Sequence, residues 1–262
     1  MILHMLMAAM LTTLPTATAD QAGNRIEGLT AERQPRPPQG DPPPATFCNG
    51  SRRWCATVRR HGEEGPWELL LFTDGPSSAP RHVALGEAGE DDGELSIWPF
   101  VVREADGALL IGIKHYRRTM YSGGGAGVER LQLLRLVGDA PPASVLETPI
   151  GASSSVRACF SRADMRARLQ VCQDEYVLTG TLALDPATRS GRPHFILNIA
   201  AQTYPGRLIR TEDSRERGPL RRRDLVWWRD PACSTTRRFA PDAAGHYAPD
   251  SPLPACSDYL DI

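Results

Sequence analysis

Val101-Val102-Arg103-Glu104-Ala105-Asp106-Gly107-Ala108-Leu109-Leu110-Ile111 sets two short apolar runs on either side of an Asp-Gly pair. Asp-Gly takes the positive φ values that a tight reversal demands, so the stretch predicts a β-hairpin. A second hairpin is expected from Glu175 to Leu184 and from His194 to Thr203, joined by the Pro- and Gly-containing residues 185–193. In its first arm Tyr176, Leu178, Leu182 and Leu184 fall on one face and Val177, Thr179, Thr181 and Ala183 on the other, the period of a half-buried strand. Further apolar runs at Cys55 to Arg60, Trp67 to Thr73, Arg81 to Leu85, Leu131 to Val137 and Leu225 to Trp228 have strand length and are too short for helices.

Two regions echo each other. One runs from Ala108 through Tyr121-Ser122-Gly123 to Leu131, the other from His194 through Tyr204-Pro205-Gly206 to Leu225. A repeated unit of this kind suggests an antiparallel two-sheet sandwich or a small propeller-like arrangement. A single short helix is expected, with Ser161 as N-cap, Asp164 three residues on, and Met165 and Leu169 on one apolar face. The fold class is therefore mainly β with one short helix.

The ends bound where the protein works. An apolar run from Met1 to Leu14 is too short to span a bilayer, and Thr16-Ala17-Thr18-Ala19-Asp20 offers small residues at both positions that signal peptidases require for a cut after Ala19. Residues 1–19 read as a signal peptide, although the segment before the apolar run lacks Lys and Arg. Residues 20–46, with Pro35, Pro37, Pro38, Pro42, Pro43 and Pro44 and almost no large apolar side chain, read as a disordered tether. Residues 47–262 are expected to form a single β-rich domain. The protein is then periplasmic or secreted, with no transmembrane segment in its mature chain.

The 6 cysteines fall as three close pairs, and an oxidising compartment makes disulfides the natural reading: Cys48 to Cys55, Cys159 to Cys172 and Cys233 to Cys256. Loop-closure entropy assigns rings of these sizes roughly 2.5 to 3.5 kcal/mol each. No Cys-x-x-Cys or His-x-x-x-His spacing suggests zinc. The net charge of −1 gives the whole chain no electrostatic signature of nucleic-acid or membrane-surface binding. Lys114 is the only lysine, an imbalance that the codon composition of a GC-rich genome explains more simply than guanidinium chemistry does.

Several strings invite a chemical reading. Tyr121-Ser122-Gly123-Gly124-Gly125-Ala126-Gly127 lacks the Lys-Ser or Lys-Thr ending of a phosphate-binding loop and reads as a flexible connection between strands. Ser122 with His115 has neither a nucleophile elbow nor an orienting carboxylate. Glu90-Asp91-Asp92-Gly93-Glu94 and Asp242 to Asp250 lack alternating calcium-ligand spacing and read as solvated loops. Asn49-Gly50-Ser51 matches the glycosylation triplet, which is common by chance. Arginine is dense from Arg207 to Arg229, and Arg221, Arg222 and Arg223 are the candidate anion-binding residues, unless they guard an edge strand. Trp227 and Trp228 would point to opposite faces there, one toward the core and one free to stack.

No catalytic residue, cofactor or metal is assigned. The expected role is a non-catalytic envelope or secreted binding protein whose partner is an anionic polymer or a protein, and not a nucleic acid. The alternative is an extracytoplasmic hydrolase with a site assembled from distant residues, which requires His115 or His194 to meet a Ser, Asp or Glu in a concave pocket.

Overall fold

A computed structural model describes residues 18–32, 44–62, 65–85 and 93–261. Its strands pair antiparallel throughout, as short apolar runs punctuated by turn residues imply. They are β1 (Arg25–Glu32), β2 (Thr46–Asn49), β3 (Cys55–Arg60), β4 (Trp67–Phe72), β5 (Arg81–Ala84), β6 (Glu94–Arg103), β7 (Leu109–Tyr121), β8 (Gly124–Leu136), β9 (Ala143–Arg157), β10 (Gln173–Leu184), β11 (Phe195–Tyr204), β12 (Trp228–Arg229), β13 (Thr235–Pro241) and β14 (Tyr247–Pro249). Helix α1 (Arg162–Ala167) follows β9, and α2 (Ser257–Leu260) closes the chain.

All belong to one open 14-stranded sheet in the order β14-β13-β11-β10-β9-β8-β7-β6-β1-β2-β3-β4-β5, with β12 alongside β11. This corrects the expected sandwich or propeller-like arrangement. Continuous pairing from β8 to β9 and from β6 to β1 leaves no break at which a second sheet or a blade could begin.

The middle strands are apolar on both faces. Trp98, Phe100 and Val102 of β6, Leu110 of β7 and Leu131 and Leu133 of β8 enter one core with Tyr176, Leu178, Phe195, Leu197 and Tyr259. Ile97 and Val101 of β6, Ile111 and Ile113 of β7 and Leu134 and Leu136 of β8 enter a second core with Trp54, Val58, Leu69, Leu71 and Val83. The sheet therefore rolls twice. Its N-terminal wing curls until β3 lies across β6, and its C-terminal wing curls over the other face until β14 meets β9 and α2 meets β9 and β10.

Bulges supply the bends. Ile97 faces Ile113 and Val101 faces Ile111, so residues 98–100 swell opposite Gly112. β9 holds two more irregularities, at Glu129/Arg130 and Leu133/Leu134 of its β8 partner.

The β6–β7 hairpin forms where Asp-Gly placed it, as a longer reversal. Gly107 N–H donates to Glu104 O and Glu104 N–H to Ala108 O, and Gly107 alone takes a positive φ, of 92°. β10 and β11 pair over their whole expected length, with Tyr176, Leu178, Leu182 and Leu184 all buried.

Other expectations need correction. Part of the expected tether is strand β1, which bridges β6 and β2. Only Ile26 and Leu29 of β1 are buried apolar residues, so backbone pairing rather than apolar content holds it. The proline-rich residues 33–43 lie outside the described residues, as do 1–17 of the expected signal peptide. Thr18 is described, and its carbonyl accepts from Ile26 N–H. The run from Gly124 to Gly127 is strand rather than flexible connection, paired to β7 and β9 together. Its bare backbone is where a Cβ on Gly127 would stand 2.5 Å from Tyr116 Oη and one on Gly125 2.7 Å from Met120 Sδ.

Disulfides join Cys48 to Cys55 across the β2–β3 hairpin, Cys159 to Cys172 around α1, and Cys233 to Cys256 between the entry to β13 and α2. Three such bonds point to an oxidising, extracytoplasmic location. Among the described residues no helix is long and apolar enough to cross a membrane.

On the face of β4 opposite Leu69 and Leu71, Glu68 is hydrogen-bonded by His82 Nδ1 at 2.8 Å, by His61 Nε2 at 3.1 Å and by Arg59. Burial raises the Glu68 pKa, but the bonds from His82, Arg59 and His61 outweigh it and bring the value from 4.5 to about 2. A carboxylate with a depressed folded pKa stabilises the fold fully above its unfolded pKa and loses that contribution as pH falls toward the folded value. The stability advantage of the native chain over Glu68→Gln should be full above about pH 4.5 and shrink as pH approaches about 2, as read by urea unfolding across pH.

A Cβ on Gly112 would sit 2.6 Å from Trp98 Cβ and 2.9 Å from a Leu131 methyl carbon. Gly112→Val is expected to destabilise the fold by about 2 to 3 kcal/mol. The denaturant midpoint should fall with little change in slope.

Candidate anion-binding surface

In the meander from β7 to β12, five pairings bring strand ends to one edge of the molecule: Tyr121 opposite Gly124, Gly124 opposite Val156, Arg157 opposite Gln173, Glu175 opposite Tyr204, and Thr203 opposite Trp228. Three connections leave from this end. They are the Ser122-Gly123 turn, residues 158–172, and residues 205–227.

The second connection is built around α1. Ser161 caps it by accepting from Asp164 N–H, and the Asp164 carboxylate accepts from the N–H groups of Phe160 and Ser161. The Phe160 N–H is the main reason that the Asp164 carboxyl lies below its usual range. The helix is where capping residues placed it, but it buries nothing: Met165 and Leu169 are 40% and 41% exposed. The chain instead turns Arg168 inward, with Leu169 and Gln170 in left-handed conformation at φ 52° and 69°.

Arg168 is the hub of this end. It is 3% exposed, donates from Nε to Val171 O at 3.0 Å and from Nη1 to Ser214 Oγ at 2.9 Å, and pairs through Nη2 with the buried Asp174. Ser214 Oγ donates to the other Asp174 oxygen, and Leu220 N–H donates to Ala167 O at 2.9 Å. The third connection is thereby docked on the second.

Rings and guanidiniums interleave above this hub. Arg157 and Arg215 lie over the Phe160 ring at 5.1 and 4.8 Å, and Arg207 covers Trp228 at 5.4 Å. Trp227 leans on Tyr204 with centroids 5.4 Å apart. A cavity of about 260 Å³ opens between the connections, lined among others by Arg157, Phe160, Asp174, Tyr176 and Arg210. Burial pushes the Tyr176 hydroxyl pKa upward, which keeps it a neutral donor.

The candidate residues Arg221, Arg222 and Arg223 sit in this third connection and are exposed. Arg222–Asp224 form a single 3-10 turn rather than the guarded edge strand, and β12 is reduced to two residues. The Asp224 carboxylate accepts from the Arg221 backbone N–H at 2.7 Å and lies 3.9 Å from Arg223 Nε. Among the described residues, no carboxylate forms an ion pair with the guanidinium of Arg221 or Arg222. Trp227 is 47% exposed, and Trp228 is half-buried beneath Arg207 rather than in a core.

Charge and apolar surface both gather at this end. Of 30 Lys and Arg and 31 Asp and Glu, segments 117–123, 157–172 and 205–229 take 14 arginines and 5 carboxylates, leaving 16 against 26 elsewhere. The whole-chain charge of −1 thus hides a concentration of arginine in these three segments, which revises the sequence reading. Among the described residues, every exposed large apolar side chain except Val137 also lies here: Met120 and Tyr121, then Phe160, Met165 and Leu169, then Val226 and Trp227.

The other candidates are spent on structure. His115 Nε2 lies 3.1 Å from Gln132 Oε1, and His194 Nδ1 lies 3.1 Å from an Arg238 nitrogen; neither lines the cavity. Ser122 lies seven positions beyond His115, roughly 20 Å at the rise of a strand, so the two do not meet. Asp242 Oδ1 accepts from the N–H groups of Ala244 and His246 in the β13–β14 turn. Glu90, Asp91 and Asp92 lie outside the described residues. Asn49 is 8% exposed, its amide nitrogen donating to Glu27 and its amide oxygen accepting from Trp54 N–H. Among the described residues no cluster of metal-ligating side chains occurs.

Compared with protein-family models, curated proteins and solved structures, the chain gives no match.

Sequence reading found the arginine run of the third connection but not Arg117, Arg118, Met120 and Phe160, which only strand register brings beside it. Arg168→Ala is expected to lower stability by about 3 to 5 kcal/mol, because it strands the buried Asp174 carboxylate. Urea unfolding measures the loss, and a change within error would show that the hub is not a stabilising contact.

Proposed function

We propose that this is an exported, non-catalytic binding protein, periplasmic or secreted, that engages an anionic partner through its arginine-rich end. One observation carries the reading: segments 117–123, 157–172 and 205–229, far apart in sequence, bring 14 arginines and 5 carboxylates to one end of a chain whose total charge is −1, beside the strand-end carboxylates of Asp174 and Glu175. Guanidinium groups left without carboxylates are ready donors to phosphate, sulfate or carboxylate oxygens, singly or as bidentate pairs. A potential of one sign at one end also steers an oppositely charged partner toward it.

Export is supported by the apolar leader with Ala17 and Ala19 before Asp20, together with three disulfides. The hydrolase alternative asked for His115 or His194 beside a Ser, Asp or Glu in a concave site, and both histidines have other neighbours. Glu68 does meet two histidines, but His82, His61 and Arg59 occupy its carboxylate on the flank of β4, away from the cavity.

Chromatography on heparin-agarose, used as a generic polyanion, tests the proposal. The native protein should be retained and released by salt, since screening weakens exposed charge contacts within about one Debye length. A combined Arg221→Gln, Arg222→Gln and Arg223→Gln variant should elute at clearly lower salt with an unchanged unfolding midpoint. Equal retention of the two proteins would reject the assignment of these residues.

A further inference from the structure

We propose that the arginine-rich end is a docking face for an anionic lipid bilayer surface, with Met120, Phe160 and Trp227 entering the boundary between headgroups and acyl chains. The inference rests on the anion-binding reading above and names its partner.

Two features distinguish a bilayer from other anionic partners. The first is the kind of apolar group exposed. Met120 is 65% exposed, Phe160 59% and Val226 53%; Met120 stands at the end of β7, and Phe160 and Val226 on the two longer connections. Met120 and Val226 have no ring face on which a sugar could stack, so a polysaccharide leaves their exposure unexplained. A thioether or an isopropyl group gains by leaving water for an apolar phase.

The second feature is the interleaving of charge. The guanidiniums of Arg157 and Arg215 lie against the Phe160 ring, and Arg118 precedes Met120 on the same strand. An apolar tip flanked by cations matches the interface, where phosphates lie just above the first methylenes.

A second copy is a poorer occupant. Two arginine-rich ends repel each other, and among the described residues the far end offers only Val137 as an exposed large apolar group.

The experiment is sedimentation of the disulfide-bonded mature protein with vesicles of phosphatidylcholine, with and without phosphatidylglycerol. Binding should require phosphatidylglycerol, weaken with salt, and be accompanied by quenching of tryptophan emission when the acyl chains carry bromine. Met120→Ser and Phe160→Ser, checked for native circular dichroism, should each weaken vesicle binding by about tenfold. Their retention on heparin-agarose should stay near that of the native protein. Retention on heparin without vesicle binding would overturn the lipid assignment and leave anion binding standing. Binding to neither would overturn both, and vesicle binding unchanged by Met120→Ser and Phe160→Ser would overturn insertion.

Discussion

Strands β6, β7 and β8 carry apolar side chains on both faces, and the remainder of the fold follows from having to cover them. A central strand buried on both sides reads as a nearly continuous apolar run, as Ile97 to Val102 and Leu109 to Ile113 do. A flat antiparallel sheet would leave both of those faces in water. The chain before β6 therefore rolls over one face, and the chain after β8 rolls over the other. Gly112 and the bulge at residues 98–100 make room for Trp98 and Phe100, whose rings stand 5.0 Å apart in the C-terminal core. Two cores on opposite faces of one sheet need no second sheet.

The same geometry leaves one end uncovered. β7 continues past the cores, and from Arg117 to Tyr121 its side chains are mostly exposed. β8 accompanies it with glycines that carry nothing of their own to bury, so the Tyr116 ring lies against bare backbone. Beside this projecting hairpin the Cys159–Cys172 bond fixes the α1 connection, and Arg168 fixes the third connection to it. A buried ion pair brings little net stability, because desolvation offsets its attraction. Its weight here is positional: Arg168, Asp174 and Ser214 set where Phe160, Arg215 and the following arginines stand.

Legibility tracked how local each signal was. The β6–β7 turn, the alternation of Tyr176 to Leu184 and the Ser161 cap are all encoded within about a dozen residues, and the structure holds each of them. Strand β1 was illegible because its pairing is mostly backbone to backbone, which any sequence can make. The glycine run misled for a related reason. Gly124 to Gly127 has the composition of a loop, and only the neighbouring Tyr116 and Met120 turn it into strand. Met165 and Leu169 show the helical spacing of a buried face, yet the helix is too short and too far out to reach a core. Sandwich against rolled single sheet depends on where pairing continues, and strand composition carries little of that.

The arginine-rich end lay between these cases. Its densest part, Arg207 to Arg229, is local and plain in the sequence, whereas its company is a matter of topology. In a meander, alternate connections emerge at the same end, so the links β7–β8, β9–β10 and β11–β12 share one end and β6–β7, β8–β9 and β10–β11 share the other. Once β7 to β12 are taken as consecutive antiparallel neighbours, Met120, Phe160 and Trp227 must fall together although more than one hundred residues separate the first from the last. Net charge discards this information by averaging over both ends. Charge summed over the segments that share an end retains it, and a chain of total charge −1 then shows a cationic end with apolar tips.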